Sequence, residues 1–202
     1  MVEGWTKATD QELFARIEAL KPYVGGFLVT TIDREGEMNG FDFGRAQAIV
    51  DAAKGSRVTF AGGASGGKEG AEQIGRLDAM GADVQAGTAI ATGALSLAAA
   101  FSAPLKTDRP DGLWPTAVCD EGGRFLGLVY SDLESLEASF QSGRGAYKSR
   151  TRGLWVKGET SGNGQRLVRA DLDCDRDCIR FTVRQEGRGF CHLDRRTCFD
   201  DG

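Results

Sequence analysis

The chain has 202 residues, 41% hydrophobic and 27% charged, with a formal net charge of −4. That length carries one large domain or two small ones, and the acidic balance argues against a general nucleic-acid or membrane-surface binder. The longest apolar run, Ala89 to Phe101, is interrupted by Gly93 and Ser96 and is too short to span a membrane. The opening MVEGWTKATDQE has no apolar run behind a basic end, so no signal peptide is expected. Five cysteines in such a chain point to metal ligation rather than disulfides, and to the cytoplasm.

Thr9-x-x-Glu12 reads as a capping box opening a helix with Leu13, Ile17 and Leu20 on its apolar face, stopped by Pro22. Gly25 to Ile32 is rich in β-branched residues and reads as a buried strand. A helix over Asp42 to Lys54 ends at Gly55, and Arg57 to Ala61 is a second strand. A glycine-rich turn and a helix to Met80 follow, then a third strand over Ala82 to Ala86 and an Ala-rich helix. This alternation predicts parallel strands with crossover helices. Gly62-Gly63 and Gly87-Thr88 each sit where a strand gives way to a helix, where free N–H groups can hold phosphate. Tight turns alone would also account for these glycines.

Residues 105–112 gather Pro, Gly and charge between Ser102 and Gly112, so a domain boundary is expected there, with domains over 1–104 and 113–202. Pro115 to Cys119 and Arg124 to Tyr130 read as a hairpin around Asp120 to Gly123. Asp132 caps a helix that carries Leu133, Leu136 and Phe140 and ends at Gly143. A polar, basic stretch with interspersed aromatics follows, in which Lys148, Arg150, Arg152 and Lys157 can bind phosphate or form a solvated strand face. Trp155 and the polar segment Gly158 to Asn163 favour an ordered substrate loop. Strands over Leu167 to Cys174 and Ile179 to Glu186 flank the run Asp171 to Cys178.

That run carries most of the chemistry. Drawn as an extended strand, Asp173, Asp175 and Asp177 share one face and suit Mg²⁺, while Cys174 points to the other. Cys174 with Cys191 and Cys198 would give zinc three thiolates and leave a position for water. Cys119 is explained by burial, whereas Cys178 can chelate with Cys174 or face the core. His192, the single histidine, follows Cys191 and is suited to proton transfer near neutral pH, although a lone histidine is commonly structural.

Three motifs, SRTRGLWVKGETSGN (149–163), DCDRD (173–177) and CHLDRRTC (191–198), closely resemble phosphoribosyl-AMP cyclohydrolase across about residues 112–202. The resemblance implies hydrolytic opening of the adenine ring of phosphoribosyl-AMP in histidine biosynthesis. It implies a homodimer with interfacial zinc, Cys174 coming from one subunit and Cys191 and Cys198 from the other. It also places Mg²⁺ on Asp173, Asp175 and Asp177, proton transfer on His192, and substrate contacts on Arg150, Lys157, Ser161 and Asn163. The family usually has Trp where Lys148 stands, a small apolar residue where Cys178 stands, and His-Thr-Gly at His192-Leu193-Asp194.

The first hundred residues resemble the C-terminal half of the histidine-biosynthesis (β/α)₈ barrels, phosphoribosylformimino-aminoimidazole carboxamide ribotide isomerase and the imidazole glycerol phosphate synthase cyclase subunit. The similarity rests on FLVTTIDREGEMNGFD with its element Ile32 to Gly36, on VTFAGGAS and on ADVQAGTAI. It implies that Gly62, Gly63, Gly87 and Thr88 hold one substrate phosphate. The family's two catalytic aspartates belong to strands that precede residue 2, so isomerase activity is not expected of this chain alone. The expected architecture is an α/β partial barrel, of three strands or four with the VEGW start, joined to a small α+β cyclohydrolase domain. The alternatives are a zinc-stabilised nucleic-acid-binding module and an isomerase barrel with an appended zinc domain.

Overall fold

The structure, a computed structural model, describes residues 12–31 and 37–199. The chain divides between Pro104 and Leu105 into two compact units. In the first, β1 (Gly26–Thr30), β2 (Arg57–Ala61) and β3 (Asp83–Gln85) form a parallel sheet in that order. α1 (Leu13–Leu20) precedes the sheet, α2 (Phe43–Ala52) and α3 (Gly67–Ala79) connect its strands, and α4 (Gly87–Ala91) and α5 (Leu97–Ser102) follow. Among the described residues the sheet is three strands wide and does not close into a barrel.

The period of two along the strands decides what is buried. Val58 and Phe60 face the helices and pack with Ile17, Ile49, Ala53 and Leu77, joined by Phe27 and Val29 of β1. Leu28, between those two, points to the opposite face and is 63% exposed.

Two expectations change here. Glu12 is itself the N-cap of α1, with φ −66° and ψ 133°, so the helix starts at Leu13 rather than on a box from Thr9. The Ala-rich helix is two short ones, because Gly93 takes φ +73° and Ser96 caps α5 by accepting from the Ala99 N–H at 3.0 Å. Thr9, Val2 to Trp5 and the element Ile32 to Gly36 lie outside the described residues.

The second unit holds β4 (Trp114–Asp120), β5 (Phe125–Ser131), β8 (Gln165–Leu172) and β9 (Ile179–Gln185), in the order β5-β4-β9-β8. β4 runs parallel to β9, and the other two pairings are antiparallel. α6 (Leu133–Ser142) is capped by Asp132 and Ser135 in a reciprocal box and ends at Gly143 with φ +66°. The stretch read as a polar loop contains a hairpin of β6 (Ala146–Ser149) and β7 (Gly153–Val156). Its alternation is masked in sequence because Ala146 and Tyr147 are its buried residues while basic side chains surround them.

Val118, Leu126, Leu136, Tyr147, Ile179, Phe181 and Val183 are fully buried in this unit. The Tyr147 hydroxyl donates to Gln165 Oε1 at 2.6 Å, and burial pushes its phenol well above the usual range. Residues 105–112 are fastened to the same unit: Lys106 N–H donates to the Arg176 carbonyl at 2.7 Å, and the Arg109 guanidinium stacks on Tyr130 at 4.5 Å.

Candidate metal and substrate site

The segment from Asp173 to Cys178 is a turn between β8 and β9, not the extended strand expected. The strand ends at Leu172 because the Asp173 carboxylate accepts the Asp177 and Cys178 N–H groups at 3.0 and 3.1 Å, and Arg176 turns the chain with φ +66°. The three carboxylates converge nonetheless, with ligand oxygens of Asp173, Asp175 and Asp177 within 4.8 Å of one another. Burial, the largest influence on Asp173, works against its ionisation, yet those N–H bonds together with hydrogen bonds to Asp177 and Asp175 hold its carboxyl below the usual range. A hydrogen bond shared with Asp173, then the Asp175 charge, pushes Asp177 up. Acidic groups crowded this way suit a hard cation, which would relieve their repulsion. Cys174 stands exposed on the turn, and Cys178 is half-buried.

Cys191, His192 and Cys198 lie on a loop after β9. Phe190 and Cys191 donate to the carbonyls of Arg196 and Arg195 at 3.1 and 3.0 Å, and the Cys198 N–H is fixed to the Leu126 carbonyl of β5 at 2.9 Å. This folds the two thiols together. Burial, then the charge of Cys191 and a hydrogen bond with it, pushes the Cys198 thiol up, while Lys157 acts the other way. Lys157 is buried, its Nζ 5.6 Å from the Trp155 ring centroid and 5.5 Å from that of Phe190. Burial lowers its pKa, opposed by the two cysteines and Asp194. Two thiols beside a cation are a donor pair suited to zinc. His192 is exposed, with Nδ1 4.0 Å from Cys191 Sγ. Among the described residues, Cys174 does not join Cys191 and Cys198 in one group.

The basic residues separate in the fold. Arg150 lies 5.2 Å over the Tyr130 ring and Arg152 5.2 Å over the Trp155 ring, and all four line a cavity of about 200 Å³. Lys148 in its wall is bound to Asp132 and Glu134 at 2.9 and 2.7 Å, first by Glu134, and its pKa is pushed up to about 12. Asn163 is buried: its Oδ1 accepts the Arg188 N–H at 2.8 Å, its Nδ2 donates to Asp194 at 3.1 Å, and its N–H donates to Ser161 Oγ at 3.3 Å.

In the first unit, Gly62, Gly63, Gly87 and Thr88 line one small cavity of about 70 Å³ beyond the ends of β2 and β3. Gly63 at φ +130° could carry no side chain, because a Cβ would stand 2.7 Å from the Gly40 carbonyl oxygen.

Two carboxylates outside the predicted site residues brace the thiol loop. Asp120, the last residue of β4, accepts from Arg196 Nη2 at 2.7 Å, and Asp194 holds both Asn163 and Arg188. Their only signal in the sequence is charge near the cysteines.

A family model described as phosphoribosyl-AMP cyclohydrolase matches residues 127–200, and one described as histidine biosynthesis protein matches residues 1–96. The phosphoribosyl-AMP cyclohydrolase of Thioalkalivibrio sulfidiphilus is 46% identical over 92 residues, which are 45% of this chain and 70% of that protein. The chain belongs to the phosphoribosyl-AMP cyclohydrolase family. It joins a cyclohydrolase domain to a histidine-biosynthesis domain. Longer proteins are also similar to about half of the chain. The histidine biosynthesis trifunctional protein of Neurospora crassa is 53% identical over 107 residues, 53% of this chain and 12% of that protein. The histidine biosynthesis bifunctional protein of Schizosaccharomyces pombe is 54% identical over 105 residues, 52% of this chain and 25% of that protein. The chain therefore covers a quarter or less of these two relatives. Among the described residues, no helix is long and apolar enough to cross a membrane.

Proposed function

We propose that the second unit hydrolytically opens the adenine ring of phosphoribosyl-AMP, acting as a homodimer that requires zinc and magnesium. The observation that carries this reading is the folding together of Cys191 and Cys198 on one braced loop, with His192 beside them and Cys174 displayed on a separate turn. Zinc held by Cys191 and Cys198 of one copy and Cys174 of a second would supply a water of lowered pKa for attack on the ring carbon. Magnesium on Asp173, Asp175 and Asp177 would supply positive charge against a substrate phosphate.

The chain's own residues do the rest. His192, exposed beside the thiols, carries a proton to the departing ring nitrogen. Arg150 and Lys157 add charge for the phosphates, and Tyr130 and Trp155 offer ring faces to the base. Ser161 and Asn163 hold the loop that frames the substrate. In the first unit, the cavity of Gly62, Gly63, Gly87 and Thr88 takes one phosphate of a ribotide. The five free thiols suit a reducing compartment, the cytoplasm.

The test is turnover of phosphoribosyl-AMP by the purified chain with both metals, and by mixtures of Cys174→Ser and Cys191→Ser chains. Each variant alone is expected to be inactive. Dimers reassorted from equal amounts recover one intact site in each mixed pair, about a quarter of parental turnover. His192→Ala is expected to bind zinc without turnover. A folded, zinc-loaded parent with no turnover would overturn the reaction, and a mixture that recovers nothing would overturn the shared site.

A further inference from the structure

Among the described residues, Lys157 is the one lysine or arginine that is buried, at 5% exposed. Its backbone is pinned just beyond β7, where its N–H donates to the Gly145 carbonyl at 2.8 Å. Its Nζ lies against two rings, 5.6 Å from the Trp155 centroid and 5.5 Å from that of Phe190. Among the described residues, no hydrogen bond or ion pair engages that ammonium. Ring faces replace only part of the hydration it has given up, so in isolation it costs stability. What surrounds it is the thiol loop. Phe190 directly precedes Cys191 and is itself buried. Burial acts most strongly against the ammonium, and the charges of Cys198, Cys191 and Asp194, in that order, oppose it. Asp194 is already bonded to Asn163 and Arg188 at 3.1 and 2.8 Å. The thiols have no such partner: the one cation acting on Cys198 is Lys157.

We propose that the Lys157 ammonium is the fixed counter-charge of the Cys191–Cys198 pair, tightening zinc there by favouring the thiolate forms that hold it. This rests on reading the two thiols as zinc ligands. Three thiolates on a divalent zinc leave one net negative charge, and a cation enclosed beside that charge is attracted far more strongly than one in water. Neutral thiols in the metal-free chain give the ammonium no such attraction. Lys157 therefore weakens the metal-free fold and strengthens the zinc-bound one. A role with the substrate phosphates alone would need neither its burial nor the thiols beside it.

The test uses the full chain and measures zinc affinity by competition with a chromophoric chelator, beside the thermal midpoint of the metal-free chain. Lys157→Met keeps an apolar stem against the rings and removes the charge. It is expected to bind zinc at least about tenfold more weakly, while its metal-free midpoint equals or exceeds the parental one. These opposite movements separate a counter-charge from a merely structural side chain, whose loss would lower both. Lys157→Arg keeps the charge and is expected to bind zinc more tightly than Lys157→Met. Equal affinities in the two variants would overturn the proposal, as would an affinity loss in Lys157→Met that only follows a fall in its metal-free midpoint. Parental zinc affinity in Lys157→Met with a raised KM for phosphoribosyl-AMP would also overturn it, leaving Lys157 to the phosphates. A folded parent that binds no zinc would overturn both this proposal and the metal reading beneath it.

Discussion

Arg196 Nη2 stands 2.7 Å from Asp120 Oδ2, tying the end of β4 to the loop that carries both thiols. The Asp120 carboxylate also accepts the N–H groups of Gly122 and Arg124 at 3.0 and 2.9 Å. Arg196 foremost, then these N–H bonds against the opposing effect of burial, holds the carboxyl below its usual range. Arg196 remains 61% exposed, so water screens the pair. Asp120→Asn is expected to cost about 1 kcal/mol at neutral pH. A depressed folded-state pKa contributes stability that is complete above the unfolded value, near pH 4, and lost as pH falls through the folded value. Denaturation of parent and variant at neutral and strongly acidic pH should show the gap closing with acid; a gap that persists would assign the effect to packing.

Gly127 faces Phe190 across the same region. A Cβ on Gly127 would stand 2.3 Å from Phe190 Cε1, and Phe190 is 6% exposed beside Lys157. Gly127→Ala is expected to destabilise the chain by about 1–3 kcal/mol through overpacking. Adding Phe190→Leu should recover part of that loss, which urea denaturation of the single and double variants would measure. Strictly additive losses would show that the two positions do not share this contact.

The aspartate turn makes a prediction about magnesium. With Asp177 pushed up by Asp173 and Asp175, a bound cation competes with a proton. Magnesium is expected to raise the thermal midpoint of the parent near neutral pH, and less so as pH falls toward the raised Asp177 value. Asp177→Asn should abolish most of that rise. An equal rise in the variant would place magnesium elsewhere.

Much of the candidate site was legible because its chemistry lies in residue types at short spacing. Three carboxylates within five residues and two cysteines seven apart stand out as candidate metal ligands whatever the backbone does. Asp173 to Cys178 nevertheless form a turn between β8 and β9 where alternation predicts a strand. Alternation along a strand and a side-chain-capped turn both bring the carboxylates together, and the N–H bonds to Asp173 decide for the turn. The β6–β7 hairpin was missed for a related reason, since Tyr147 is buried from a stretch whose composition is basic and polar.

By itself the sequence determined the strand–helix alternation of the first unit, the Asp132 cap and Gly143 stop of α6, and the residue types of the candidate site. These follow from local propensity and hydrogen bonding between near neighbours. Only the tertiary structure decided the parallel pairing of β4 with β9, the meeting of Cys191 with Cys198, and the braces at Asp120 and Asp194. Asp120 and Arg196 are 76 residues apart, and Asn163 and Asp194 are 31 apart. Such contacts are selected by how the sheet and its loops bury one another, which no short window of sequence contains.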